Sequence, residues 1–368
     1  LNPNPNKVVR ANPWLAGNLV RESGPLLVDG RYYLAWPREA YDAQLDAMVI
    51  EASDAGLSAD MEYNTLGARL KALGAAVPEG WRLLNTALPV VKLSFIETKE
   101  SECAVVFSLS HCVADGYVYY QLLNMLQSGA DVKALDPRRD PKKEDSMHRA
   151  CSAELRPWRN GLGILMNVGA EKLCGRRTRM KWYKVDPERI RAAKQKAVDG
   201  GAEFVSTNDI LAAFWSRASN ANALSMAMNL RGRADGVVDD LAGMYSKNPF
   251  WADDGSLKPA DIRRSLEAGA PFGCMPVPGF FETLFMRIAL TTNWSSFFEE
   301  LRIDGCEQVL HVPVFSMIAP IDASIIFRPR PRELAVLYLC KRPGSEDKLL
   351  ADDGPHKEPL LEAMFEQH

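Results

Sequence analysis

No two cysteines in this sequence form a C-x-x-C pair, and the seven present (Cys103, Cys112, Cys151, Cys174, Cys274, Cys306 and Cys340) are scattered singly. An odd, dispersed set argues against a disulfide framework and against a zinc site, so reduced and mostly buried thiols are expected. Long hydrophobic runs are also missing. The longest apolar stretches, such as 309–327, are broken by His311, Pro313, Pro320 and Asp322, which excludes a membrane span there. Excess charge of one sign is lacking too: a formal net charge of −3 over 368 residues offers no electrostatic footprint for nucleic acid. There is no G-x-S-x-G elbow, no phosphate-cradling P-loop and no H-E-x-x-H zinc helix, and neither a repeat nor a low-complexity segment.

What is present is an ordinary globular composition, 47% hydrophobic and 25% charged, in a chain long enough for two domains or one large layered domain. With single cysteines and no span, a cytoplasmic protein is expected. The sequence opens on Leu1 rather than Met, so some preceding sequence is expected to have been cut away, and whether it held a targeting segment is left open.

Strands and helices alternate along the chain. The stretch NPWLAGNLV reads as a short helix passing into a strand, and GRYYLAWP as a second strand. Residues 90–96 and 103–109 are apolar and β-branched around the polar ETKESE, which predicts a hairpin. A helix is predicted over 116–127, where Val118, Leu122, Met125 and Leu126 recur at helical spacing and Tyr120 and Leu123 widen the apolar face. KALDPRRDPKK, dense in proline and charge, reads as a surface excursion with little periodicity through Arg159. A moderately apolar helix over 162–173 leads into the basic GRRTRMKW, a solvated connection in the bland reading.

A domain crossover is placed there, dividing the chain into 1–175 and 176–368. Beyond it, a strand over 180–185 precedes a helix with Asp186 as cap and Pro187 at its first position. In VSTNDILAAFWSRAS, Ser206 or Thr207 caps a further helix. Strands over 287–292, 323–327 and 333–339 complete a layered α/β chain.

Only five histidines occur, and one of them, His111, stands between an apolar strand and an apolar helix in SLSHCVADGYVYYQLL. A lone histidine at a strand end is commonly a hydrogen-bonded structural residue, and an Asp before a helix is commonly its N-cap. An exposed neutral imidazole there is equally suited to take a proton near pH 7. Asp115 fits a structural role, and Gly116 either relieves crowding in a tight loop or supplies a positive φ. His148, His311, His356 and His368 lie in loop-like or terminal contexts that suggest solvated or structural roles.

The string S-H-C-V-A-D-G-Y resembles the H-x-x-x-D-G motif of the chloramphenicol acetyltransferase-like superfamily, and its surroundings look most like the BAHD acyltransferase branch. Residues 12–20 are similar to the family's P-x-L-A-G-R stretch, with Asn18 replacing the arginine. VSTNDILAAFWSRAS resembles its helix after the crossover, MNLRGRADG with LAGMYSKNPF its N-x-R-x-R and G-N-Y region, and LTTNWSSF its T-S-W strand. One motif departs. Where plant-type members carry D-F-G-W-G, RIDGCEQVLHVP keeps Asp304 and Gly305 but neither aromatic, which puts the subfamily and local packing in question. The N-terminal side is short for the family, as if a first-domain strand were missing or the member were compact.

The resemblance implies two similarly folded domains, each a mixed sheet with flanking helices, with a tunnel at the domain interface. It implies an acyltransferase taking an acyl-CoA co-substrate and a small-molecule alcohol or amine acceptor, with no permanently bound cofactor and no metal. His111 would be the general base, and Thr292 and Trp294 the oxyanion donors, although both residue types are also ordinary strand packing. Asp115 would support the loop through Arg231, with Arg233 as the alternative partner. Ser206 and Thr207 match a stretch near the thioester cofactor. A monomer is expected. Two other readings stand beside this one: a condensation-type enzyme with a carrier-tethered donor, whose relatives carry a second histidine where Ser110 lies, and a non-catalytic binding relative.

Overall fold

A computed structural model describes residues 5–22, 31–38, 42–59, 61, 63–99, 101–151, 153–159, 161–174, 178–266, 273, 275–315, 321–342, 344–349 and 354–359. Contacts group the chain into two compact units: Leu1–Arg138, Asp239–Tyr245 and Glu299–Met317 in one, Arg139–Val238, Ser246–Phe298 and Ile318–His368 in the other. The sequence places one crossover at 175/176; the contacts instead put residues 139–175 with the second unit and bring the chain back to the first twice.

The first unit begins with α1 (Pro5–Ala11), a 3-10 turn over Pro13–Ala16 and a two-stranded ribbon of β1 (Asn18–Glu22) and β2 (Arg31–Ala35). Asn12 between them is fully buried, its side chain bonded to the backbone of Lys133 and Leu135. Next come α2 (Asp42–Met48), β3 (Val49–Ser53), α3 (Tyr63–Ala72), α4 (Gly80–Leu83), β4 (Val91–Lys99), β5 (Glu102–Leu109) and α5 (Gly116–Met125). The β4–β5 hairpin forms as predicted, in antiparallel register Val91↔Leu109, and β3 joins β4 in parallel. Helix α5 buries Val118, Tyr120, Leu122, Leu123 and Met125, the face the helical spacing selects.

The returning segment 299–317 is fastened to this unit at several points. The Ser128 amide donates to the Arg302 carbonyl (2.9 Å). The Tyr63 hydroxyl donates to the Pro313 carbonyl (3.2 Å) and accepts from the Phe315 amide (3.1 Å).

The second unit opens with α6 (Pro141–Ala150), α7 (Arg156–Arg159) and α8 (Leu162–Cys174). The excursion read through Arg159 is thus partly helical: Asp140 caps α6 through the Lys142 amide, Pro141 occupies its first turn, and only Ser146 and Met147 are buried. So small an apolar face leaves no periodicity to read.

Then follow β6 (Arg179–Val185), α9 (Pro187–Asp199), α10 (Thr207–Ala218), β7 (Ala223–Asn229), β8 (Ser246–Lys247), β9 (Phe250–Ala252), α11 (Pro259–Ser265), α12 (Phe280–Leu284), β10 (Ile288–Asn293), β11 (Asp322–Phe327), β12 (Ala335–Cys340) and β13 (His356–Pro359). They build an eight-stranded mixed sheet ordered β13-β6-β12-β11-β10-β7-β8, with β9 also on β7. β7, β10 and β11 run parallel. Every residue of β11 and β12 is buried, as central strands covered on both faces require. Ile210, Leu211, Phe214 and Trp215 of α10 pack with Leu224, Ile326, Val336 and Tyr338 in the main core cluster.

The expectation of mostly buried thiols is corrected. Among the described cysteines Cys151 and Cys340 are buried, whereas Cys103, Cys112 and Cys306 are exposed, because they lie at the start of the edge strand β5, in the loop after it and in the turn that pairs Ile303 with Cys306. Among the described residues no helix is long and apolar enough to cross a membrane, and no three His, Cys, Asp or Glu residues cluster as a metal site would need.

Candidate active site

In the first unit the site grows out of the end of β5. The Ser110 amide donates to the Val90 carbonyl (2.8 Å), and the Val113 amide returns to the Ser110 carbonyl (3.1 Å), so residues 110–113 form a tight turn. His111 rides on that turn, exposed, with Nδ1 at 2.8 Å from the Ala114 carbonyl oxygen. A carbonyl only accepts, so this bond places the imidazole proton on Nδ1 and leaves the lone pair on Nε2. Ser110 is buried, and its hydroxyl accepts from the Cys112 amide (3.4 Å).

Asp115 is buried, and both of its carboxylate oxygens accept backbone protons. Oδ1 takes the Val118 amide (3.1 Å), capping α5; Oδ2 takes the Tyr245 amide (2.9 Å). The Asp115 amide donates to the Gly243 carbonyl (3.3 Å). The cap was legible from Asp before an apolar helix. The clamp on 243–245 was not, since it joins residues about 130 positions apart. Gly116 is the first residue of α5, so its φ is helical and the positive-φ alternative is not adopted.

Gly80, at the start of α4, is a further contributor that no motif flagged: a Cβ there would collide with the Cys112 sulfur. Beneath the loop, the Tyr119 hydroxyl donates to the Phe107 carbonyl (3.0 Å), and the Tyr120 hydroxyl lies 3.3 Å from His311 Nε2.

The other sequence-marked residues lie in the second unit, around the carboxyl ends of its parallel strands, where open sheets commonly place ligands. Thr292 is on β10, opposite Ala227 of β7 and Ile325 of β11. Trp294 follows it; its amide continues the sheet onto the Ile326 carbonyl (2.8 Å), and its indole Nε1–H donates to the Thr292 hydroxyl (3.1 Å). That bond leaves the threonine hydroxyl proton available as a donor. Arg231, just past β7, is buried, with its guanidinium 3.0 Å from Asn229 Oδ1.

Ser206 caps α10 through a reciprocal pair: its hydroxyl accepts from the Asp209 amide (3.2 Å), and its own amide donates to Asp209 Oδ2 (2.8 Å). Thr207 is the first residue of the helix. Asp209, fully buried, also receives Arg263 Nε (2.8 Å). The S-x-x-D spacing carried the capping-box signal; Arg263 carried none. Asn208 Nδ2 reaches the Met226 sulfur (3.3 Å), which ties the start of α10 to β7 beside the strand ends.

No protein-family model and no curated protein matches the sequence. Solved structures do. TRI101 of F. graminearum, in complex with coenzyme A and deoxynivalenol, is 13% identical, with 95% of this chain and 88% of that chain covered and a TM-score of 0.57. Polyketide synthase associated protein 5 from Mycobacterium tuberculosis is 13% identical over 96% and 92%, with a TM-score of 0.52. The first condensation domain of the calcium-dependent antibiotic synthetase, in complex with a substrate analogue, is 13% identical over 98% and 89%, with a TM-score of 0.51. At these identities the likeness is one of fold, and the chain has the two-domain chloramphenicol acetyltransferase-like fold that the motifs around His111 and Trp294 imply.

Proposed function

We propose that this protein transfers an acyl group from a coenzyme A thioester to the hydroxyl or amine of a small-molecule acceptor, with His111 as general base. The observation that carries the proposal is the contact of His111 Nδ1 with the Ala114 carbonyl oxygen at 2.8 Å, which in the neutral imidazole leaves Nε2 as the acceptor. In the reaction Nε2 takes the acceptor's proton as its oxygen or nitrogen bonds to the thioester carbonyl carbon. The carbonyl oxygen becomes an oxyanion. When it collapses, the carbon–sulfur bond breaks and the departing coenzyme A thiolate recovers the proton from Nε2. General-base help of this kind is worth about 10² to 10⁴ in rate.

Thr292 is the oxyanion donor in this reading, held in orientation by the Trp294 indole; a preorganised donor of this type contributes about 10²-fold or more. Asp115 holds the loop rather than the imidazole in this reading, since its oxygens are given to Val118 and Tyr245. Ser206 and Thr207 serve the cofactor's phosphates in this reading, at the start of α10, where the positive end of the helix dipole favours anions. Support for the coenzyme A donor comes from the fold shared with TRI101, a protein solved with coenzyme A.

A carrier-tethered donor is the second reading, favoured by the likeness to a condensation domain. Against it stands Ser110, a buried, locally bonded hydroxyl where condensation-type relatives place a second histidine. Release of coenzyme A thiol, measured over a panel of thioesters and acceptors with wild type and His111→Ala, tests the proposal. Turnover lost in the variant supports it; full activity in His111→Ala, or release with no thioester, refutes it.

A further inference from the structure

Helices α8 and α12 are joined with their apolar faces outward. Asn167 of α8 donates through Nδ2 to the Thr283, Leu284 and Met286 carbonyls (2.9–3.0 Å), which closes the end of α12. The Trp158 indole donates to the Thr283 hydroxyl (2.7 Å), and a Cβ at Gly163 would sit 3.1 Å from Thr283 Cγ2. With Gly163 and Asn167 turned inward, Leu162, Leu165, Met166 and Leu173, at helical spacing along one side, are turned out.

Leu165 is 69% and Leu173 85% exposed; on α12 and just beyond it, Phe281 is 74% and Phe285 79% exposed. A cluster of large apolar side chains exposed to water marks an interaction surface.

The charges around the face indicate its occupant. Between Lys172 and Lys184 the chain carries six cations and no acid. Arg179 and Lys184 meet Glu346 and Glu333, while Lys172 and Lys181 stand exposed, as does Arg287 behind α12. The acids of the two helices are engaged within the fold: Glu171 with Arg342 (3.4 Å), and Glu282 with the Gly279 amide (2.8 Å). Leucine, phenylalanine and a cationic border form the pattern that seats a protein at an anionic bilayer, apolar side chains among the acyl chains and cations at the headgroups. A second copy fits poorly, because a two-fold contact would bring the cationic borders together.

We propose that the α8–α12 face docks this protein on an anionic lipid surface. The test is sedimentation of the full chain with vesicles of phosphatidylcholine alone or with phosphatidylserine as about a third of the lipid. Binding to the anionic vesicles is expected, with loss on raising the salt and a drop in partition coefficient of roughly tenfold or more in the triple variant Leu165→Ser, Phe281→Ser, Phe285→Ser. Lys172→Glu with Lys181→Glu, acting through charge alone, is expected to weaken binding to the anionic vesicles. All five side chains are exposed, and an unchanged thermal midpoint in each variant separates lost docking from lost folding. No binding to either vesicle, or binding indifferent to both sets of variants, overturns the proposal. So does a concentration-dependent mass increase that the triple variant abolishes, since the occupant would then be a second copy.

Discussion

His356 is a residue whose titration the fold opposes. It is 1% exposed at the start of β13, with Nδ1 3.3 Å from the Lys184 carbonyl and Nε2 2.6 Å from the Tyr338 hydroxyl. The carbonyl fixes the proton on Nδ1, so Tyr338 donates to Nε2. Protonating Nε2 would remove that acceptor and place a cation among Tyr183, Phe214 and Tyr338.

Burial is the main reason that the imidazole is pushed down to about 4 from 6.5, and the nearby Arg189 adds to it. The sign follows from linkage: between 6.5 and 4 the unfolded chain holds a proton that the native chain refuses, so stability falls as pH falls. From about pH 7.5 to about pH 5 the loss from this one group is about 2 kcal/mol, approaching about 3 kcal/mol below pH 4. Urea unfolding of wild type and His356→Gln at both pH values measures it. Gln keeps an acceptor for Tyr338 and does not titrate, so its stability is expected to fall by about 2 kcal/mol less than that of wild type over this range. Equal losses in the two proteins would assign this pH dependence to groups other than His356.

Asp115→Ala removes the acceptor of two buried amides and is expected to cost about 1–3 kcal/mol, read as a lower thermal midpoint, with Asp115→Asn milder. Thr292→Val keeps the side-chain shape and loses the donor; kcat is expected to fall by about 10² to 10³ at nearly constant KM, and Trp294→Phe, which removes only the bond that orients the hydroxyl, to fall less. Asp209→Ala and Arg263→Met each break the ion pair beneath the α10 cap; each should destabilise by about 3 kcal/mol, and a double-mutant cycle by denaturant unfolding should show the pair costing less than the sum.

The hairpin, the His111 turn and the face of α5 were legible because each is a local pattern: β-branched runs around a polar turn, a capping Asp, apolar residues at helical spacing. Periodicity shows which side of a helix is apolar but not what that side meets. Hence α8 was read correctly as a helix while the outward direction of its leucines was not. Long-range bonds leave no local trace either. The Tyr245 amide on Asp115, and Arg263 on Asp209, exist because distant segments return to one place. His356 looked terminal and unremarkable in the sequence; pairing of β13 with β6, and of β6 with β12, carries it to Tyr338. Helix α6, with two buried residues, offered too little pattern to find.

A coenzyme A donor for the proposed transfer is tested by the thermal midpoint of the purified protein with a panel of coenzyme A thioesters, from acetyl and malonyl to aromatic and long-chain acyl groups. A ligand at about a hundred times its dissociation constant adds about 2.7 kcal/mol to the native state, enough to raise the midpoint by several degrees. Selective stabilisation by one thioester class is the result predicted, and it names the donor for an acceptor screen; no shift with any thioester contradicts the coenzyme A reading.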